Sequence, residues 1–352
     1  MEIINLANEL KRIRDTSSDV ILPSQSIHAI EDQGTLKLDL QNFGKWPLTR
    51  HGGAQVAEKA GIPTLYFHKM LDAGKTDLAA QNVNGWFNTQ EDNRLVRIAD
   101  GQVRAVLSDR YRQLDNYDLA MQVMDKAKNH GAIFQDCQLT DTRMYLKLTV
   151  PGQMEDLKAQ ATPGSHERID LNADDPVIPG LIVSNSEVGA GAFRVEPFVY
   201  RLMCKNGLIG TDTLYKVHLG GRMDIGQTIY KDDTLRTMDQ ALWSQVRDII
   251  EATFDKTLLH KQIENLRRAD KLPIKEPQEA IDAVVKDLAL SEEKEKDLLR
   301  YFAKESTNGE TVFSLVNGIT RLAQDSKNYD DRIEIERYAG AKLEKALTIP
   351  AQ

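Results

Sequence analysis

Two stretches of this chain gather arginines and aromatic rings more densely than their surroundings. The first, RLVRIADGQVRAVLSDRYR (94–112), holds Arg94, Arg97, Arg104, Arg110, Tyr111 and Arg112. The second, LIVSNSEVGAGAFRVEPFVYRLMCKNGLIG (181–210), holds Phe193, Arg194, Phe198, Tyr200, Arg201 and Lys205. Guanidinium groups bind phosphates and rings stack on bases whatever the base sequence, so this combination suits single-stranded nucleic acid. On that reading Arg97, Arg104, Arg110, Arg194, Arg201 and Lys205 meet the strand backbone, and Tyr111 and Tyr200 stack. The competing reading makes the rings core residues and pairs the arginines with Asp109, Glu187 and Glu196. Asp174-Asp175 could hold Mg²⁺ for a nuclease, although paired acids in a polar loop are more often plain solvated surface.

Other chemistries are excluded by spacing. The AGKT at 73–76 lacks the glycine at position 69 that a phosphate-binding loop requires. Arg194 stands where a dinucleotide fingerprint built on Gly189 and Gly191 would need glycine. The seven histidines form no HExxH or ligand-spaced pair, and GxSxG is absent. Cys137 and Cys204 stand far apart and read as reduced core thiols. No catalytic residue, metal site or cofactor is expected.

The elements that must position the arginines follow from periodicity and turn chemistry. Asp100-Gly101 between two β-rich runs predicts a two-residue hairpin with Arg97 directly across from Arg104. Like charges so placed repel, so an anion should lie between them: a carboxylate from elsewhere in the fold, or a phosphate. The core face of that hairpin would carry Val96, Ile98, Val103, Ala105 and Leu107. A helix is expected from Asp115 or Asn116 to about His130, ended by Gly131, and then two strands within 132–150. Residues 152–180 read as a polar excursion. Leu181–Glu187 and Ala192–Glu196 read as strands joined by a glycine turn, with Pro197 breaking the ladder or setting its edge. Gly101, Gly189, Gly191 and Gly207 are expected at turns.

Upstream, TLKLDL (35–40) alternates like a strand. In WPLTRHGGAQVAEKAGIPTLYFHKMLDAGK, residues Ala57, Gly61, Ile62 and Phe67 have helix-turn-helix spacing. Any two short helices joined by a glycine turn share that spacing. The second helix would offer a groove only Tyr66, His68 and Lys69, which favours a packing αα-hairpin. Downstream of Lys231, helical patterns cover 233–256, 258–271, 276–290, 291–306, 310–325 and 330–347. The expected fold is α+β: an antiparallel sheet core with flanking helices, then an all-helical C-terminal domain. The divisions are 1–92 (mixed α/β, with the helix-turn-helix-like hairpin), 93–230 (sheet core with one helix) and 231–352 (helical).

The 352 residues carry a net charge of −8, with −4 on each side of residue 230. Any polyanion must therefore be met by a local patch. No run of 18 apolar residues suggests a membrane span, and the first residues read as a short amphipathic helix, so a cytoplasmic location is expected.

The strings RAVLSDRYRQLDN (104–116), SNSEVGAGAFRVEPFVYRLMCKNGLIG (184–210) and TVFSLVNGITRLAQD (311–325) resemble the phage/plasmid-like family called domain of unknown function 932. The resemblance spans about residues 45 to 340 and implies a protein of a mobile genetic element. Such elements often carry single-strand annealing proteins, which form oligomers on DNA. The expectation is a DNA-binding protein of recombination or replication, of annealing type. It would act as a homo-oligomer on single-stranded DNA, with a possible phage or plasmid recombination protein as partner. The alternative is a non-enzymatic interaction, host-takeover or defence protein that binds no DNA.

Overall fold

The structure, a computed structural model, describes residues 1–111, 113–153, 155–156, 176–201, 206–210, 215–217, 232–254, 256–307 and 309–348. Asp174, Asp175, Lys205 and Arg112 lie outside them.

The N-terminal region runs α1 (Ile3–Thr16), β1 (Ser18–Pro23), β2 (Ile27–Asp32), β3 (Thr35–Leu40), β4 (Gly44–Pro47), α2 (Arg50–Lys59), α3 (Thr64–Asp72) and α4 (Thr76–Phe87). Then come β5 (Asn93–Ala99), β6 (Gln102–Ser108), α5 (Asn116–Asn129), β7 (Ile133–Leu139), β8 (Met144–Thr149), β9 (Glu155–Asp156), β10 (Pro176–Asn185), β11 (Phe193–Arg201), β12 (Asn206–Ile209) and β13 (Tyr215–Val217). Six helices follow: α6 (Asp232–Thr253), α7 (Lys256–Asp270), α8 (Pro277–Asp287), α9 (Glu292–Glu305), α10 (Val312–Gln324) and α11 (Tyr329–Thr348). The strands form three antiparallel sheets in the orders β1-β5-β6, β2-β3-β4 and β12-β11-β10-β8-β7, with β9 on β10 and β13 on β11. This is the α+β arrangement, antiparallel sheets first and helices after. Among the described residues no helix is long and apolar enough to cross a membrane.

The β5–β6 hairpin turns at Asp100-Gly101, both with positive φ (53° and 72°) as a two-residue turn of this hand requires. Its register departs from simple alternation. Ile98 faces Val103, but Arg97 faces Ala105, so a bulge leaves Arg104 without a partner and not opposite Arg97. The bulge also splits the expected core face. Val96, Ile98, Val103 and Val106 join the N-terminal core, whereas Leu95, Ala105 and Leu107 pack against Val188.

The expectation at Pro197 holds on one side of its strand only, and that at Gly207 is corrected. Strand β11 runs straight through Pro197, which sits opposite Leu181. Its outer side pairs with β13 only as far as Val195 and with β12 only from Phe198, so the missing N–H falls at the break between them. Gly207 is not at a turn but inside β12, where a Cβ would sit 2.0 Å from the Phe198 ring.

The helices after residue 231 share cores with the sheet. Val246 and Ile250 of α6, with Phe254 just after it, join α1, α5 and the apolar face of the large sheet. Residues of α7, α10 and α11 close over Val177, Val199 and Leu208.

Candidate nucleic-acid interface

The first arginine cluster lies where the β5–β6 sheet meets the loop after β10. Arg97 is buried, and its guanidinium donates to both carboxylate oxygens of Asp19 (3.0 and 3.1 Å), to Asp115 (2.8 Å) and to the carbonyl of Glu187 (3.0 Å). Those neighbours hold it charged: burial alone would lower its pKa, and the two carboxylates raise it well above the usual arginine value. Arg104 donates to Glu187 at 2.9 Å, and the other Glu187 oxygen accepts from the Asn116 backbone N–H at 2.7 Å. The anion demanded by the two arginines is therefore a set of protein carboxylates. Asn185 completes the joint, donating to Leu114 O and Asn116 Oδ1, both at 2.8 Å.

The loop itself is held from several sides. Tyr111 donates its hydroxyl to Ser186 O at 2.9 Å, and Gln55 of α2 donates to Val188 O at 2.7 Å while accepting from Val106 N. Gly189 has φ of +76°, and a Cβ there would meet Leu107 at 2.6 Å. At Gly191 a Cβ would stand 3.0 Å from the Arg143 guanidinium, which donates to Ala190 O. Tyr111 is half-buried, its hydroxyl on Ser186 O and its ring packed against the cluster of Leu95, Ala105, Leu107 and Val188. Arg110 is exposed on the turn after β6, with its backbone N–H donated to Ser108.

The second cluster divides between the two faces of β11. Arg201 donates to Glu305 of α9 at 2.6 Å and lies over the Phe313 ring on the helical side. Arg194, Glu196 and Tyr200 occupy the alternate positions and point to the opposite face. The register on that face sets Asp136, Lys147, Ile182 and Glu196 in one row and Gln138, Tyr145, Ser184 and Arg194 in the next. Such a polar face would ordinarily be left to water. Here the first half of α11 covers it. Tyr329 donates to Asp136 (2.7 Å), Tyr145 donates to Asp330 (2.6 Å), and Lys147 donates to Glu336 (2.6 Å). Arg337 makes a bidentate contact with Glu196 and reaches Ser184. Lys147 and Glu336 are almost fully enclosed, and burial lowers the Lys147 pKa against the pull of Glu336. Arg194 lies 3.8 Å from Glu196, its pKa lowered by burial and by the neighbouring Arg337 cation. Tyr200 is half-buried, its ring 6.2 Å from that of Phe198.

Arg97, Arg104 and Arg201 thus bind carboxylates, and Arg194 and Arg201 point to opposite faces. These guanidinium groups do not line one open channel. Asp115, 18 positions from Arg97, was missed despite its nearness, whereas Asp19, Glu305 and the α11 residues lie far off in the chain, 189 positions in the case of Lys147 and Glu336. Among the described residues no three His, Cys, Asp or Glu side chains gather as metal ligands.

The α2–α3 unit presents a different surface. Val56, Ala57, Ala60, Ile62, Phe67 and Met70 are all buried in a single core. The chain reverses at Gly61 (φ +70°), where Ile62 N donates to Ala57 O at 2.8 Å, and Pro63 precedes the first turn of α3. The positions with helix-turn-helix spacing therefore do the packing that motif requires. The outer face of α3 carries Leu65 (88% exposed), Tyr66, Lys69 and half-exposed His68. Helix α2 anchors the unit. Gly52 lies so close to β6 that a Cβ would come within 2.6 Å of Val103 O, and His51 contacts Val188 O at 2.9 Å. Residues 44–75 hold five Lys/Arg and two Asp/Glu, a local +3 on a chain of net −8.

No family model, curated protein or solved structure matches this chain.

Proposed function

We propose that this chain is a DNA-binding protein and that it meets duplex DNA through α2 and α3. The observation that carries this reading is the α2–turn–α3 unit, in which Ala57, Ile62 and Phe67 are buried and Gly61 makes the turn, while the second helix is open to solvent. A helix displayed in this way fits the major groove, with its N-terminal side chains toward base edges. Thr64, Leu65 and Tyr66 occupy that end; Leu65 offers an apolar contact of the kind a thymine methyl group accepts. Lys69 and Lys75 supply phosphate contacts, joined by Lys45, Arg50 and Lys59 once a phosphate displaces their weak surface ion pairs with Asp39, Asp72 and Glu58. The local excess of three positive charges opposes the acidic field of the whole. A role in recombination or replication on a mobile element rests on the family resemblance. Annealing of single strands draws no support from Arg97, Arg104 and Arg201, which are bound to carboxylates.

The test is fluorescence polarisation with a labelled 30-base-pair duplex and the matching single strand across a salt series. If about three phosphates are neutralised, duplex affinity falls about 40-fold between 50 and 200 mM salt. Lys69→Ala should weaken binding and flatten the slope by about one unit. Wild-type protein that ignores duplex at 50 mM salt defeats the reading. Preference for the single strand, lost in Arg194→Ala and Arg110→Ala, would restore the annealing alternative.

A further inference from the structure

From Leu78 to Gln90 the sequence contains no charged residue, although 28% of the chain is charged. This stretch is helix α4 and its C-terminal turn. Ala79, Ala80, Val83 and Phe87 face the core, leaving a solvent-facing stripe of Leu78, Gln81, Gly85, Trp86 and Thr89. Trp86 is 56% exposed, large for so apolar a ring. Beside it lies an open groove of about 430 Å³ between Leu78, Asn82, Gly85 and Thr89. A Cβ on Gly85 would meet nothing within 4 Å, so the groove is open above that glycine.

We propose that this face binds a second copy of the same chain. In the contact, twofold-related α4 helices cross near Gly85 and each Trp86 fills the groove of its partner. Three features select this occupant. A chain of net charge −8 repels its own copy over most of its surface, and an uncharged patch is where that repulsion is least. A twofold contact must be self-complementary, and here the protruding ring and the groove that fits it are neighbours on one stripe. Two polar side chains along the groove are also partly prepared for burial. Asn82 already donates to Leu78 O and Thr89 to Trp86 O, both at 2.8 Å, so drying the face strands neither donor. The platform is fixed from below, since Asn84 donates to Ala29 O and accepts from Ala29 N.

One helix face covers less than the roughly 800 Å² per partner of a standard interface, so the association is weak and concentration-dependent. It stands independently of the DNA reading. If that reading also holds, the α2–α3 units flanking the axis would address two half-sites.

Sedimentation velocity on the full chain from 1 to 200 µM tests the proposal. The expected weight-average mass rises above 39.6 kDa toward twice that value. Trp86→Ala and Leu78→Lys should each weaken association at least tenfold while melting like wild type. Gly85→Cys, oxidised under native conditions, should give a disulfide-linked dimer, whereas a cysteine at exposed Glu293 should not. A wild-type mass fixed at the monomer value throughout overturns the proposal, as does Trp86→Ala associating as strongly as wild type. Dimerisation that persists in protein unable to bind duplex leaves this proposal intact and removes only the DNA reading.

Discussion

Replacing Arg97 by alanine separates a structural role from a phosphate-binding one, because the two predict opposite outcomes. The guanidinium makes four hydrogen bonds of 2.8 to 3.1 Å, to Asp19, Asp115 and the Glu187 carbonyl. Truncating one partner of a buried ion pair costs about 3–5 kcal/mol, since the remaining charge loses its counterion. Asp19 and Asp115 keep 25% and 38% of their side-chain surface open, so water rehydrates them in the variant. That places the loss near the lower end, about 3 kcal/mol. At this chain length 1 kcal/mol moves the melting temperature by roughly 2 °C, so Arg97→Ala should melt about 6 °C below wild type. Arg97→Lys should recover less than half, because a single ammonium cannot span three acceptors in fixed directions. Differential scanning fluorimetry gives the shift, and oligonucleotide titration of the folded variant gives any change in affinity. A variant that melts within 1 °C of wild type but loses nucleic-acid binding refutes the assignment of Arg97 to the joint between β5 and the Glu187 loop.

Other consequences are equally open to measurement. Gly340→Ala places a Cβ 1.8 Å from Ile209 O, forcing α11 off the edge of the large sheet; chemical denaturation should show a loss of at least about 3 kcal/mol. Burial would raise the Glu305 pKa, but Arg201 and Arg321 win and hold it below its ordinary value of 4.5. Its stabilising contribution is therefore complete above about pH 4.5 and disappears as pH falls through the lower folded value. Melting curves from pH 3 to 7 should thus converge for wild type and Glu305→Gln at the acid end and separate above it. Burial, with help from Asp136, pushes the Cys137 thiol up to about 11. Mass-spectrometric mapping should find it alkylated at pH 8 at least about a hundredfold more slowly in native protein than in denaturant.

Local signals in the sequence carry far and then stop at identifiable points. Asp100-Gly101, strand β3, the start of α5 and all six C-terminal helices follow from turn chemistry and periodicity, with boundaries close to those observed. The bulge at Arg104 is invisible to a period-two pattern, because an unpaired residue leaves the same alternating letters on either side. Pro197 misleads for a related reason: whether its missing donor matters depends on where β12 and β13 end, which no local feature records. The arginines show the same limit at the level of the site. Glu187 and Glu196 were legible as arginine partners, but Asp19 and Glu305 are brought in by the fold from 78 and 104 positions away. The α2–α3 spacing was readable because its buried positions, Val56 to Met70, lie within 15 residues of one another, even though the core they join runs from Val20 to Val106.

The covering of a polar sheet face by α11 also sets an order of events on the ribosome. Strands β8, β10 and β11 can pair as soon as residue 201 has emerged, yet Lys147 and Glu196 obtain Glu336 and Arg337 only some 140 residues later. At translation speeds of about 5–20 residues per second, that interval lasts seconds to tens of seconds. Lys147, Glu196 and Arg194 keep part of that face wetted while it waits, whereas Ile182 and Phe198 beside them stay uncovered until Ile333 of α11 arrives.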